Sequence, residues 1–174
     1  MTEVICACQQ ANREDYEACI LIARYAGLRL HEVMRIDTAT ARAALKDGYL
    51  TIKGKGGKIR DVPIHEIVRI EFAKLLEHVQ PGHKLFVPDG KQTHVVITEL
   101  QNFIGAHRRT VREDAGKPPL TFHGLRHTCA AEWYKTLIAE GKTEYGAHLQ
   151  VSRWLGHERD DVTRIYLASV DKLE

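Results

Sequence analysis

The chain has 174 residues, 44% of them apolar and 28% charged, a length and composition that suit one soluble domain with a substantial core. No apolar run approaches the ~20 residues of a membrane helix, and Met1-Thr2-Glu3-Val4 lacks the basic and apolar regions of a signal peptide, so a cytoplasmic location is expected. With 25 basic and 23 acidic residues the net charge is only +2, so bulk charge does not announce a nucleic-acid partner.

Asn12 predicts the cap of a helix starting near Arg13, with Glu14, Asp15 and Glu17 at the positive end of its dipole. Cys19, Ile20, Ile22 and Ala23 carry that helix to Gly27, a C-terminal stop. A short helical stretch around Glu32 to Arg35 follows just beyond Arg29. Tyr49 to Lys53 and Ile59 to Ile64 read as two strands around the turn Gly54-Lys55-Gly56-Gly57, with Pro63 closing the second towards a sheet edge. From His65 to Val79, Ile67, Ile70, Leu75 and Val79 keep a helical period, which Pro81-Gly82 ends. Leu85-Phe86-Val87 predicts a short third strand. Then come a helix from Thr98 to Arg112, the loop Gly116-Lys117-Pro118-Pro119, a helix from Gly124 to Ala139, and two shorter helices at His148 to Leu155 and Asp161 to Ala168. The expected fold is mainly α with a small antiparallel β-sheet (α+β), in one unit from 1 to 174.

The four cysteines do not form a metal or disulfide framework. Cys6-x-Cys8 is tighter than zinc-ligand spacing, no second pair follows, and Cys19 and Cys129 stand apart, so reduced thiols are expected. His123 and His127 share a helix face, but the glutamate of an HExxH site is missing and no third ligand is evident, so no metal is expected. Lys55 lies in a glycine turn that is not a P-loop, because Gly-x-x-x-x-Gly-Lys-Ser/Thr is absent.

Four short segments carry chemistry: Gly27-Leu28-Arg29-Leu30-His31-Glu32, Lys53-Gly54-Lys55-Gly56-Gly57-Lys58, His123-Gly124-Leu125-Arg126-His127-Thr128, and Leu155-Gly156-His157 with Tyr166 nine residues on. Metal-free attack on a phosphodiester needs a nucleophile, charge stabilisation and an acid for the leaving 5′-oxygen. A tyrosine phenol, with a pKa of ~10, can be activated by neighbouring cations or a base. Two arginines can grip the non-bridging oxygens with permanently charged forks, and lysine or histidine can deliver the proton. Lys53, Lys55, Lys58 and Arg60 cluster within eight positions, and Arg108, Arg109 and Arg112 within five, which offers local cationic patches despite the near-neutral total.

In order and spacing the four segments resemble the catalytic domain of the tyrosine recombinases, the phage integrase family. Gly27-Leu28-Arg29-x-x-Glu32 is similar to the first arginine box, Lys53 to Pro63 to the lysine hairpin ending in Val62-Pro63-Ile64, His123-x-Leu125-Arg126-His127-Thr128 to the second box, and Leu155-Gly156-His157 with Tyr166 to the third. The resemblance runs from about Asp15 to Ser169. It implies a site-specific recombinase that cuts and rejoins double-stranded DNA by transesterification, without a cofactor or metal. Arg29 and Arg126 would clamp the scissile phosphate, Lys55 would be the general acid, His123 would assist proton transfer, His157 would hydrogen-bond the phosphate, and Tyr166 would form a 3′-phosphotyrosine. Lys53, Lys58 and Arg60 are expected to meet DNA, with Glu32 orienting active-site groups.

His31 stands where the family often has serine, and Gly124 where it often has an acidic residue. Such integrases usually carry an N-terminal DNA-clamping domain, which is expected to be absent from this chain. The expected partners are DNA and, on DNA, further copies forming a tetramer. A type IB topoisomerase shares the chemistry without exchanging strands. A DNA-binding regulator on a degenerate scaffold would lack one or more of the six residues, and all six are present.

Overall fold

The first segment of chain, for which no element is expected, is a helix: α1 spans Thr2–Gln10 and buries Val4, Ala7 and Cys8 on one side. The structure is a computed structural model that describes residues 1–54, 57–115 and 120–156, with the side chains of 108–115 excepted. The expected helix at Asp161 to Ala168 and the loop Gly116 to Pro119 lie outside the described residues, as do the side chains of Arg108, Arg109 and Arg112.

Helix α2 spans Glu14–Tyr25, and its capping position is Arg13, not Asn12. Asn12 instead takes a positive φ of 50°, a conformation its short polar side chain tolerates better than most, and turns the chain from α1 into α2. Helix α3, Leu30–Val33, is one turn long and lies earlier than the expected Glu32 to Arg35. Its start is fixed by the Arg29 backbone N–H, which donates to Glu32 Oε2 at 2.9 Å. Helix α4, Thr38–Asp47, was not anticipated. Asp37 caps it by accepting from the Thr40 N–H at 2.7 Å, and Gly48 ends it at φ 82°, where a side chain would be strained.

Strands β1, Tyr49–Lys53, and β2, Ile59–Pro63, pair antiparallel, with Ile52 opposite Arg60 and Leu50 opposite Val62. Among the described residues this hairpin is the whole sheet. The expected third strand at Leu85 to Val87 does not form. Those side chains are buried, but the segment is tied only by an Asp37–Lys84 bridge and by the Leu85 N–H donating to Ile36 O at 2.9 Å. Pro81 and Pro88, which lack a donor N–H, bracket it too closely for a ladder to extend.

Helix α5, Glu66–His78, is capped by His65, whose Nδ1 accepts from the Ile67 N–H at 3.1 Å. Helix α6, Thr93–Ala115, extends beyond the expected Thr98 to Arg112 at both ends. Thr121 caps α7, Phe122–Ala139, and Thr143 caps α8, Glu144–Leu155, each accepting from the N–H three residues on. The Thr143 cap moves the start of α8 four residues ahead of the expected His148.

Helix α2 lies against α1, α3, α5 and α7, and its Ile20, Ile22 and Ala23 are wholly buried. Around it gather Leu28, Met34, Ile36, Leu50, Phe72 and Leu100. Fully burying such a side chain is worth about 1.5–3 kcal/mol. A second cluster, Ala130, Leu137, Ala147, Val151 and Leu155, joins α7 to α8, and α8 also rests on β2. Among the described residues no helix is long and apolar enough to cross a membrane. The four cysteines are free thiols.

Candidate active site

The centre of the site is a carboxylate. Glu32 sits on α3 with its side chain fully buried, and arginines reach it from three directions. Arg60, from β2, donates Nη1 to Oε1 at 3.0 Å and Nη2 to Oε2 at 2.8 Å, a two-pronged pair. Arg29 donates its backbone N–H to Oε2 and its Nη1 to Oε1 at 3.2 Å. Arg126 Nη1, from α7, lies 3.9 Å from Oε2. Burial alone would push the Glu32 carboxyl up. The hydrogen bonds and charge of Arg60, the Arg29 N–H and the charge of Arg126 more than offset it and hold the group at about 2.

The two arginines of the boxes are placed differently. The Arg29 side chain is 37% exposed, with donors left over for an anion beyond the one spent on Glu32. The Arg126 side chain is 1% exposed. It donates Nη1 to Gly27 O at 2.6 Å and Nη2 to Leu155 O, so it ties the turn before Arg29 to the end of α8. Gly27 does more than stop a helix. Its φ is 58°, and a Cβ there would lie 3.0 Å from the Trp133 ring and 3.3 Å from Cys129 Sγ, so its bareness lets α7 approach.

The hairpin and the end of α8 meet at Arg60. Its Nε donates to Trp154 O at 2.8 Å, and a Cβ on Gly156 would come within 2.9 Å of its Cδ. A Cβ on Gly54 would lie 3.3 Å from its Nη1. Arg60, expected on DNA, therefore faces inward with its side chain 9% exposed. Strand alternation accounts for this: it places Arg60 on the face of buried Val62 and leaves Ile59 71% exposed. Lys53 and Lys58 are exposed on the hairpin. Lys55, which follows Gly54, His157, which follows Gly156, and Tyr166 lie outside the described residues.

On the first two turns of α7, His123 and His127 meet edge-on with ring centroids 4.4 Å apart and Nε2 atoms at 2.8 Å. One ring must donate an N–H to the lone pair of the other, so both cannot be charged in this contact. The i, i+4 spacing puts the two rings on one face but does not reveal this partnership. Among the described residues no group of three or more metal-ligating side chains gathers. His31, exposed beside the arginines, is held below its ordinary pKa, first by partial desolvation, against the pull of Glu32.

The chain therefore brings Arg29, Glu32, Arg126, the root of the lysine hairpin and the turn before His157 into one hydrogen-bonded unit. That arrangement, three arginines around one carboxylate, keeps a net positive charge that can hold an anion at Arg29. The sequence matches the Phage integrase family over residues 1–172. It is 28% identical over 166 residues to the Sinorhizobium fredii protein named integrase/recombinase y4rC, covering 90% of this chain and 46% of that one. It is 34% identical over 153 residues to a tyrosine recombinase XerC of Chlorobaculum tepidum, covering 80% of this chain and 41% of the relative. The chain thus spans less than half the length of these relatives. Its fold is like that of XerA recombinase, with a TM-score of 0.65 at 18% identity, covering 99% of this chain and 59% of that structure. The Tn1549 transposon integrase, in complex with circular intermediate DNA, gives a TM-score of 0.65 at 16% identity over 93% of this chain and 61% of its own.

Proposed function

The chain belongs to the phage integrase family, and from that premise we propose that it cuts and rejoins double-stranded DNA through a 3′-phosphotyrosine at Tyr166. The observation that carries the reading is the convergence of both arginine boxes, the hairpin root and the end of α8 on the Glu32–Arg60 pair. Arg29, which keeps donors free at the edge of this cluster, is placed where a phosphate would meet it. The DNA held by the Tn1549 integrase structure supports the duplex as that ligand.

The Tyr166 oxygen attacks the scissile phosphorus, the bond to the 5′-oxygen breaks, and the leaving oxygen takes a proton from Lys55. The phenolic proton passes towards His123, which takes it by opening its contact with His127. Arg29 meets a non-bridging oxygen. Arg126 joins it by exchanging one of its carbonyl bonds for the anion, and His157 completes the set. A donor already in place, as Arg29 is, is worth ~10²–10³ in rate, because it needs no reorganisation when charge develops. The phosphotyrosine keeps the bond energy, so a 5′-hydroxyl reverses the step without ATP. Lys53 and Lys58 meet the flanking phosphates. Exchanging both strands of two duplexes takes one tyrosine per strand, so the assembled form is a tetramer on DNA.

The test is incubation with a nicked suicide duplex in excess EDTA, followed by mass mapping of the covalent adduct. The wild-type chain is expected to be joined at Tyr166, and Tyr166→Phe is expected to bind DNA equally well and form no adduct. An adduct in the Phe variant, or strict dependence on added Mg²⁺ or Zn²⁺, would rule the mechanism out.

A further inference from the structure

Of the described cations on the hairpin, Lys53 and Lys58 are exposed and Arg60 is turned inward, while its apolar neighbour Ile59 stands in solvent. For stability alone the reverse would be favoured. An apolar residue buried at 60 beside an apolar residue at 32 avoids the cost of desolvating two charges, and buried ion pairs are often no better than such replacements. The geometry points to a different use: we propose that Arg60 is a positioning residue for strand cleavage. It makes no contact with DNA. It holds the Gly54 end of the hairpin, Glu32 and the C-terminal turn of α8 as one piece, and so sets where the residues next in the chain, Lys55 and His157, meet the phosphate that Arg29 binds. The inference rests on the strand-cleavage reading above.

Three features single out an arginine here. The flat guanidinium uses Nη1 and Nη2 on the two oxygens of Glu32 and Nε on Trp154 O, three bonds with fixed mutual angles. A lysine ammonium is a point charge and cannot keep that fork. The side chain lies between two glycines, and a Cβ on Gly54 or Gly156 would come within 3.3 Å or 2.9 Å of it. The bonds also join residues 28 and 94 positions from Arg60, on α3 and α8. Each of the three segments is next to, or contains, a residue assigned to the reaction. A displacement of the hairpin root relative to Arg29 would therefore move the acid relative to the phosphate, and misplacement by ~1 Å can cost about 10²-fold in rate.

The experiment compares the wild-type chain with Arg60→Lys and with the charge-free pair Arg60→Met/Glu32→Gln. Salt-titrated DNA affinity, single-turnover adduct formation at saturating DNA, and amide hydrogen exchange are measured on each. Arg60→Lys is expected to keep the wild-type affinity and salt slope, and to lose about 10- to 100-fold in the saturated rate. Exchange is expected to rise together at residues 50–54 and 152–156. A slope flattened by about 0.9, with the saturated rate unchanged, would make Arg60 a phosphate contact and overturn the proposal. A folded double variant that cuts at the wild-type rate would also overturn it, which keeps the test decisive where Arg60→Lys does not fold. If the wild-type chain itself makes no adduct, the cleavage reading fails. The exchange data then still decide whether Arg60 couples hairpin and helix, and a rise confined to the hairpin would refute that coupling.

Discussion

Replacing Glu32 by glutamine should destabilise the chain in a way that depends on pH. At neutral pH the substitution removes the negative charge that balances Arg60 and Arg126, whose side chains are 9% and 1% exposed. Leaving a buried charge without its partner costs about 3–5 kcal/mol. The glutamine carbonyl can still accept from the Arg29 N–H, which favours the lower end. The depressed carboxyl implies a similar figure. The folded carboxyl lies at about 2, against an ordinary value of ~4.3, and each unit of difference is worth about 1.4 kcal/mol, giving ~3 kcal/mol. The sign follows from the depressed folded pKa: the contribution is fully present above the unfolded value and is lost as pH falls through the folded one. Urea unfolding at a series of pH values should therefore show a wild-type advantage of ~3 kcal/mol that is level from pH 7 to about pH 5 and shrinks from pH 4 towards pH 2. Tryptophan fluorescence is a suitable probe, because Trp133 and Trp154 meet at 5.2 Å and the Trp154 carbonyl is held by Arg60. An advantage that stayed constant down to pH 2.5 would show that Glu32 is not held as an anion by these arginines.

Lys55→Ala should slow adduct formation by ~10²–10⁴-fold on ordinary DNA and far less on DNA with a 5′-bridging phosphorothiolate, since a thiolate leaves without a proton. Arg29→Ala should show no such rescue, and a rescue seen in Lys58→Ala instead would move the acid to that residue. Among the thiols, exposed Cys6 should react with a disulfide reagent at pH 8 within minutes. Cys8, pushed up to about 11 by burial and by Glu17 and Asp15, and Cys129, pushed up to about 12 by burial, should react only on unfolding, as should fully buried Cys19. Rapid native labelling of Cys129, read by peptide mass, would contradict the packing of α7 against Gly27.

The amphipathic helices and the hairpin were legible because each carries its own signal: period and a stop for α2 and α5, alternation for β1 and β2. Helix α4 was missed although Asp37 and Gly48 mark both its ends, because its buried face is only Thr38, Ala41 and Ala44 and shows little apolar contrast. Helix α1 is hard to read for a related reason: its buried face is only Val4, Ala7 and Cys8, which gives little apolar contrast. At the site, Arg29, Glu32 and Arg126 could be picked out by motif, but motif says nothing of depth, and the burial of Arg126 under two carbonyls is a tertiary fact. Arg60 was readable in principle. Two residues from Val62 in a strand, it had to share that residue's face, and the charge pattern of the hairpin hid the alternation.

The bonds that build the site have a consequence for how the protein is made. Arg60 to Trp154, Arg126 to Gly27 and Arg24 to Glu132 join residues 94, 99 and 108 positions apart. Contacts of such separation are paid for in loop-closure entropy before they are rewarded, so they form late. A ribosome-bound chain lacking α8 has Arg29 and the hairpin but no carbonyl for Arg60 Nε and no Leu155 carbonyl for Arg126. Until synthesis has passed α8, the cationic residues of the first half remain an unassembled set, so chain order leaves the site open until that helix exists.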